Sequence, residues 1–229
     1  MPASPSTTTA HRAAGVLFIL APCWYLFCEM VAALGFPGYD YARNYISDLG
    51  VPAGGVLEGR AMDSRLAEVM NAGFIGEGLL ITLGVVLLIA SGAGRSRRFG
   101  VLAALLLVHS VGIAVVGLVH GSPANVANGL MAFHGLGAVA AIGAGNAAAL
   151  VAGLGDALSS HDAVRHRAVY RTVSTVLGAA GFLFAVLLVT HFQLPDGVWE
   201  RGSVYTIIAW QLLTGVVLLR RNPVAVDNA

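Results

Sequence analysis

The stretch NGLMAFHGLGAVAAIGAGNAAALVAGLG, Asn128 to Gly155, contains no Asp, Glu, Lys or Arg. It is built mostly of Ala, Gly, Leu and Val, with no alternation of apolar and polar positions. A helix of about 20 such residues crosses the ~30 Å hydrocarbon core of a bilayer. A strand fits poorly, because the run is continuous and only helices or closed barrels satisfy their backbone in lipid. Gly137, Ala141 and Gly145 recur at every fourth residue and so share one helix face. Small residues on a shared face let a neighbouring backbone come close. This helix is expected at the centre of a bundle.

Five more apolar runs accompany it. The six expected spans cover about 13–34, 65–90, 99–119, 126–154, 168–191 and 204–219. The expected fold is therefore all-α, an integral membrane bundle of six transmembrane helices, a single domain over 1–229. Composition agrees: 57% of residues are hydrophobic, 11% are charged and the mean hydropathy is +0.77. Soluble domains average roughly a quarter charged residues, so this chain has too little charge to cover a water-facing surface. A net charge of +1 gives no electrostatic footprint for nucleic acid. All basic residues are Arg and none is Lys, a weak sign of a GC-rich bacterial gene. Cys23 and Cys28 fall inside the first run and read as buried apolar thiols. Arg12 precedes that run as in a signal peptide, but the run outlasts a typical 7–15-residue signal core and reads as a retained helix.

Orientation follows from arginines in the short loops. With six alternating spans, Arg12, Arg95, Arg97, Arg98, Arg165, Arg167, Arg220 and Arg221 fall on one side. The other side holds Arg43, Arg60, Arg65 and Arg201, accompanied by Asp40, Asp48, Glu58, Asp63, Asp196 and Glu200. The expectation is a plasma-membrane protein with both termini cytoplasmic and the 35–64 loop facing outward. Asp63 or Ser64 is expected to cap the second helix, and Ser122–Pro123 to turn the chain between the third and fourth. No internal repeat relates the two halves, which counts against a transporter built on inverted repeats.

Ionisable groups are costly in hydrocarbon and mark candidate sites. Depth along the helices places Glu29, Asn71, His120, Asn128 and His191 in the outer part of the membrane, and Glu77, His109 and His134 nearer the middle. Asn146 alone lies toward the cytoplasm. His109 and His120, eleven residues apart, would share a face of the third helix, and Glu77 pairs with His109 or His134 on depth alone. Arg201 and Tyr205 can touch at helical spacing, Trp199 and Tyr205 suit an interfacial aromatic belt, and Arg201 is a candidate partner for Asp48. Three readings stay open. The polar groups fix helix to helix, or line an outward pocket for a lipid headgroup or small ligand, or form a catalytic or metal site. For zinc the weak candidates are His120, His134 and His191 with Asp48 or Glu29, without any local ligand motif.

The polar island RNYISDLG, Arg43 to Gly50, interrupts the apolar pattern between the first two spans. Asn44, Ser47 and Asp48 are side chains that bond nearby backbone, and Gly50 permits a left-handed turn. Placed between these spans, the motif resembles the signature of the bacterial and archaeal membrane-protein family known as domain of unknown function 998. A related ISD-x-G signature makes it distantly similar to DRAM-like eukaryotic membrane proteins, which are linked to autophagy and membrane-lipid regulation. The resemblance extends to the six-span layout, the His opening the fourth region and the late Glu-Arg followed by Trp210. It implies a multi-pass membrane protein and no settled activity.

The expected function is thus a polar pocket for a lipid or small amphiphile under the 35–64 loop. Its candidate lining is Ser47, Asp48, Glu77, His120, His134 and Arg201, with Glu29, Asn71, His109 and His191 as further polar candidates. An intramembrane hydrolase using His, Asp or Glu is the alternative, and a small transporter the next. Membrane lipids are the expected partners, no cofactor is expected, and the sequence names neither catalytic residues nor an oligomeric state.

Overall fold

The computed structural model describes residues 5–52, 54–57, 59–92, 96–155 and 164–220, and side chains from 9 to 155 and from 167 to 220 within these. Glu58, Arg95 and Arg221, and the side chain of Arg165, lie outside the described residues. Among the described residues seven α-helices carry the fold: α1 (Pro5–Leu34), α2 (Ala67–Ala90), α3 (Arg97–Leu118), the short α4 (Pro123–Ala127), α5 (Met131–Gly153), α6 (Val164–Val189) and α7 (Asp196–Arg220). All but α4 are long and apolar enough to cross a membrane, so the chain is a membrane protein with six candidate spans.

The six long helices pack in chain order and α7 returns to α1, closing a ring. Gly15 of α1 lies against Gly215 and Leu218 of α7, so the two ends of the described chain share one face of the bundle. α5 also touches α7 directly, which pushes α6 outward. Only 17% of the best apolar window of α6 is buried, so most of that helix is left to lipid.

Lipid tails are as apolar as Leu, so helices in a bilayer associate through close packing rather than hydrophobic burial. The small-residue face of α5 does this. A Cβ on Gly112 of α3 would sit 2.6 Å from Ala141 N and from Gly137 O of α5. No real Cβ fits there, so the two backbones are in direct contact. Gly145, further along the face, meets Ile207 of α7 and the His109 ring.

Boundaries follow local chemistry, with some departures from expectation. Ser96 caps α3 by accepting from Phe99 N at 3.1 Å, and Ser122 caps α4 by accepting from Asn125 N, with Pro123 in the first turn. The fourth apolar run therefore opens as a separate short helix, and the span itself starts only at Met131, after Gly129 at φ +77°. Neither Asp63 nor Ser64 caps α2: Ser64 Oγ donates instead to Leu49 O at 2.6 Å. The last helix reaches back to Asp196 and so takes Glu200 and Arg201 into its first turns. His120 lies past the end of α3, whose C-cap is Val119, and shares no helix face with His109. Cys28 is buried, but Cys23 is exposed on the lipid side, and both are free thiols.

The 35–64 loop is folded. It carries a 3-10 turn at Ser47–Gly50 and a minimal antiparallel hairpin, β1 (Val56–Leu57) with β2 (Arg60–Ala61). Gly50 is not left-handed, contrary to the sequence expectation. Its lack of a side chain is needed because a Cβ would collide with Asn71 Oδ1, while Asn71 Nδ2 donates to Gly50 O at 3.0 Å.

Candidate functional site

Two polar systems stand on the loop half of the ring, with a plug of apolar residues between them.

The upper system straps the loop to the helices. Asp48 is 2% exposed and receives four hydrogen bonds: Arg60 Nε at 2.9 Å, Arg60 NH2 at 3.2 Å, Tyr45 N at 3.1 Å and Asn44 Nδ2 at 3.2 Å. The Arg60 guanidinium also stacks on the Tyr45 ring at 4.5 Å. Arg60, not Arg201, is thus the partner of Asp48. Tyr45 OH donates to Asp196, which His191 meets at 2.9 Å, and Ile46 N donates to Glu200.

Arg201 works one layer deeper. Its guanidinium donates to the carbonyls of Tyr41 (2.6 Å), Asn44 (2.8 Å) and Gly197 (3.2 Å), to Tyr39 OH and to Glu29 (3.2 Å). Tyr205 OH donates to both Glu29 oxygens at 2.9 Å. Glu29 and Arg201 are 2% and 7% exposed. A buried pair of this kind needs its remaining lone pairs and protons matched, and nearly all of them are; among the described residues Arg201 Nε has no partner. Tyr205 is therefore a ligand of Glu29 rather than a free interfacial aromatic. Burial lifts the Tyr39 hydroxyl well above its ordinary pKa, against the opposing pull of Arg201, so it keeps its proton and donates to Tyr45 O at 2.9 Å.

The apolar side of NYISDLG faces inward. Ile46 and Leu49 are 1% and 0% exposed and pack with Tyr25, Phe36, Met70 and Phe74. The island plugs the mouth of the ring with these side chains and spends its polar groups on holding the plug in place. Ser47 is half-buried beside them. We expect Asp48→Ala to loosen this plug, because Arg60 and two further donors lose their acceptor; the loss of stability is about 1–3 kcal/mol. Faster protease cleavage within 35–64 checks it, and an unchanged cleavage rate and melting temperature would show that Asp48 does not hold the loop.

Below the plug lies the second system. Glu77 is ten residues into α2, about 15 Å along the helix. Its Oε1 meets His109 Nε2 of α3 at 3.0 Å and accepts from Gln211 Nε2 of α7 at 2.6 Å. His109 Nδ1 lies 2.8 Å from Ala141 O of α5. A carbonyl only accepts, so Nδ1 carries a proton. The contact between Nε2 and the carboxylate is then bridged by one proton, which the two groups share. All three side chains are buried, yet among the described residues Glu77 Oε2 and Gln211 Oε1 have no hydrogen-bond partner.

These groups line a cavity of about 20 Å³. Its walls are apolar: Ile113 from α3, Ala141 and Ile142 from α5, Val204, Ile207 and Ile208 from α7, and Tyr25 from α1. Of the lining residues Ile142 and Val204 keep partial exposure, and α6 packs outside the α5–α7 seam, with Gly181 against Asn146 and Thr206.

The sequence candidates thus separate. Asp48, Arg201, Glu29, Asn71 and His191 belong to the loop strap. Glu77 and His109 belong to the central cavity. His134 stands one turn into α5 and bonds Val119 O at 2.7 Å, which puts it at the loop end of its helix and not mid-membrane. His120 is half-buried in the connection after α3. Among the described residues no three His, Cys, Asp or Glu side chains come together as a metal would require, so the trio His120, His134 and His191 is not assembled. Asn146 bridges α5 to α7 through Ser203 O and Thr206. Sequence reasoning missed Gln211 and Arg60. Gln211 was legible as an amide inside the apolar run IIAWQLLTGVVLL; Arg60 carried no such signal.

Fold and site together define a six-span membrane protein whose ring encloses a buried carboxylate–imidazole pair beneath a strapped loop. The chain belongs to the family described as Protein of unknown function (DUF998), which matches it over residues 19–217. Searches of curated proteins and of solved structures found no match.

Proposed function

We propose that this is a plasma-membrane binding protein for a lipid or small amphiphile, held in the cavity beneath the 35–64 loop. Both termini are cytoplasmic and the loop faces outward in this reading, as the arginines at the opposite face favour. One observation carries the proposal. Two buried acceptors, Glu77 Oε2 and Gln211 Oε1, have no partner among the described residues, and their side chains border an apolar-walled cavity. An unmatched buried acceptor costs about 1–3 kcal/mol unless something fills it. A polar head that enters the cavity and turns these oxygens toward it does so.

The other readings have less support. A hydrolase could use the Glu77–His109 pair as a general base, but a cavity of about 20 Å³ admits a water-sized group and no scissile bond. A transporter needs a path to the opposite face, where Phe18, Ile81, Leu106 and Trp210 fill the ring.

The test fills the cavity from its wall. Val204→Trp is expected to remove most of the lipid or amphiphile that co-purifies in detergent-free nanodiscs, with helix content unchanged. Equal ligand content in variant and parent would refute the pocket.

A further inference from the structure

The end of the bundle opposite the loop carries an unbalanced charge. The stretches 91–98 and 154–171, which run from α2 into α3 and from α5 into α6, hold six Arg and two Asp. Both acids, Asp156 and Asp162, lie outside the described residues, and among those described this end has no carboxylate. Arg12 and Arg220 extend the patch at the start of α1 and the end of α7.

Two of these side chains meet the last turn of α5. Arg171 of α6 is half-buried and donates from Nε to Gly153 O at 3.1 Å. Arg98 of α3 is exposed and lies on Gly155, where a Cβ would collide with its NH1. Among the described residues Arg98 meets no acceptor, and neither do the terminal nitrogens of Arg171. Guanidinium forks of this kind match the oxygens of a phosphate, which accepts from several N–H groups at once.

The surface beside them is apolar. Leu154, between the two glycines, is 64% exposed. Gly137 of α5 meets α3, and Asn146 and Leu150 meet α6. The face of α5 between those contacts carries Ala140, Gly143, Ala147 and Leu154. A Cβ on Gly143 would meet nothing within 4 Å, so its small size serves no helix contact. The result is a shallow apolar strip between α3 and α6 that ends at the two arginines.

We propose that this end of the bundle binds an anionic phospholipid, its phosphate held between Arg98 and Arg171 and one acyl chain laid along the outer strip of α5. The apolar strip favours a lipid over free phosphate, and the excess of Arg favours a head group of net negative charge over a zwitterionic one. The site stands apart from the cavity under the loop and does not depend on it.

The test uses the full chain in detergent, with bound lipid counted by native mass spectrometry. Phosphatidylglycerol is expected to bind one per chain, about tenfold tighter than phosphatidylcholine with the same acyl chains, and to stay bound in excess inorganic phosphate. Arg98→Gln with Arg171→Gln is expected to weaken it about tenfold. Arg12→Gln with Arg220→Gln removes the same charge from the same end and is expected to leave it within about twofold. Gly143→Phe, placed where a side chain has room, is expected to cost about tenfold as well, and it decides the matter if loss of Arg171 unfolds the chain. Equal binding of the two lipids, displacement by inorganic phosphate, equal losses in the two arginine pairs, or full binding in Gly143→Phe overturns the site.

Discussion

Arg201→Leu is expected to destabilise the protein by about 3–5 kcal/mol, the cost of stripping one partner from a buried ion pair. Glu29 would be left 2% exposed, with only Tyr205 to face it. The carbonyls of Tyr41, Asn44 and Gly197 would lose their common donor, and with it the link between the loop and the first turns of α7. Arg201→Lys should recover little. A planar fork reaches several acceptors in different directions, whereas an ammonium is a point donor on a flexible stem. Equilibrium unfolding followed by circular dichroism measures the loss, and protease cleavage inside 35–64 locates it. A change below about 1 kcal/mol, the range of an exposed pair, would mean that the strap is dispensable.

Glu77→Leu is the second large effect, at about 3 kcal/mol or more. It leaves His109 Nε2 and Gln211 Nε2 facing an apolar side chain. The magnitude discriminates between origins. Interhelical hydrogen bonds in a membrane average ~0.6 kcal/mol and reach ~1.7 at most, so a larger loss marks an ionic partner removed. Substituting the whole centre should reverse it. Buried ion pairs replaced by apolar residues of similar volume are often neutral or stabilising. Glu77→Met, His109→Leu and Gln211→Leu combined are therefore expected to regain parental stability. A combined loss equal to the sum of the three single losses would show that the groups act independently.

The architecture was legible because hydrocarbon leaves few options. An apolar run of span length must be helical, and six of them fix the class. The close approach of α5 was legible too, since Gly137, Ala141 and Gly145 announce a face without side chains. Boundaries were less so. Glu200 and Arg201 looked like surface charges, because hydropathy cannot anticipate that Glu200 will accept from Ile46 N and Arg201 will pair with Glu29. Partners across the chain were least legible. Glu77 and His109 could be matched by depth, but Asp48 in the 3-10 turn meets Arg60 on β2 through a loop fold that leaves no periodic trace. The island NYISDLG read as polar because its chemistry is polar; that its apolar residues Ile46 and Leu49 plug the ring depends on the direction of a single 3-10 turn.

The central claim is that Glu77, His109 and Gln211 are kept in the ring to bind a ligand and not to hold the helices together. The combined Glu77→Met, His109→Leu, Gln211→Leu variant tests it most directly, with ligand content read by mass spectrometry of the nanodisc-purified protein beside the parent. A variant that unfolds at the parental temperature and has lost the co-purifying ligand is the predicted result. A variant that retains the ligand in full would contradict the claim.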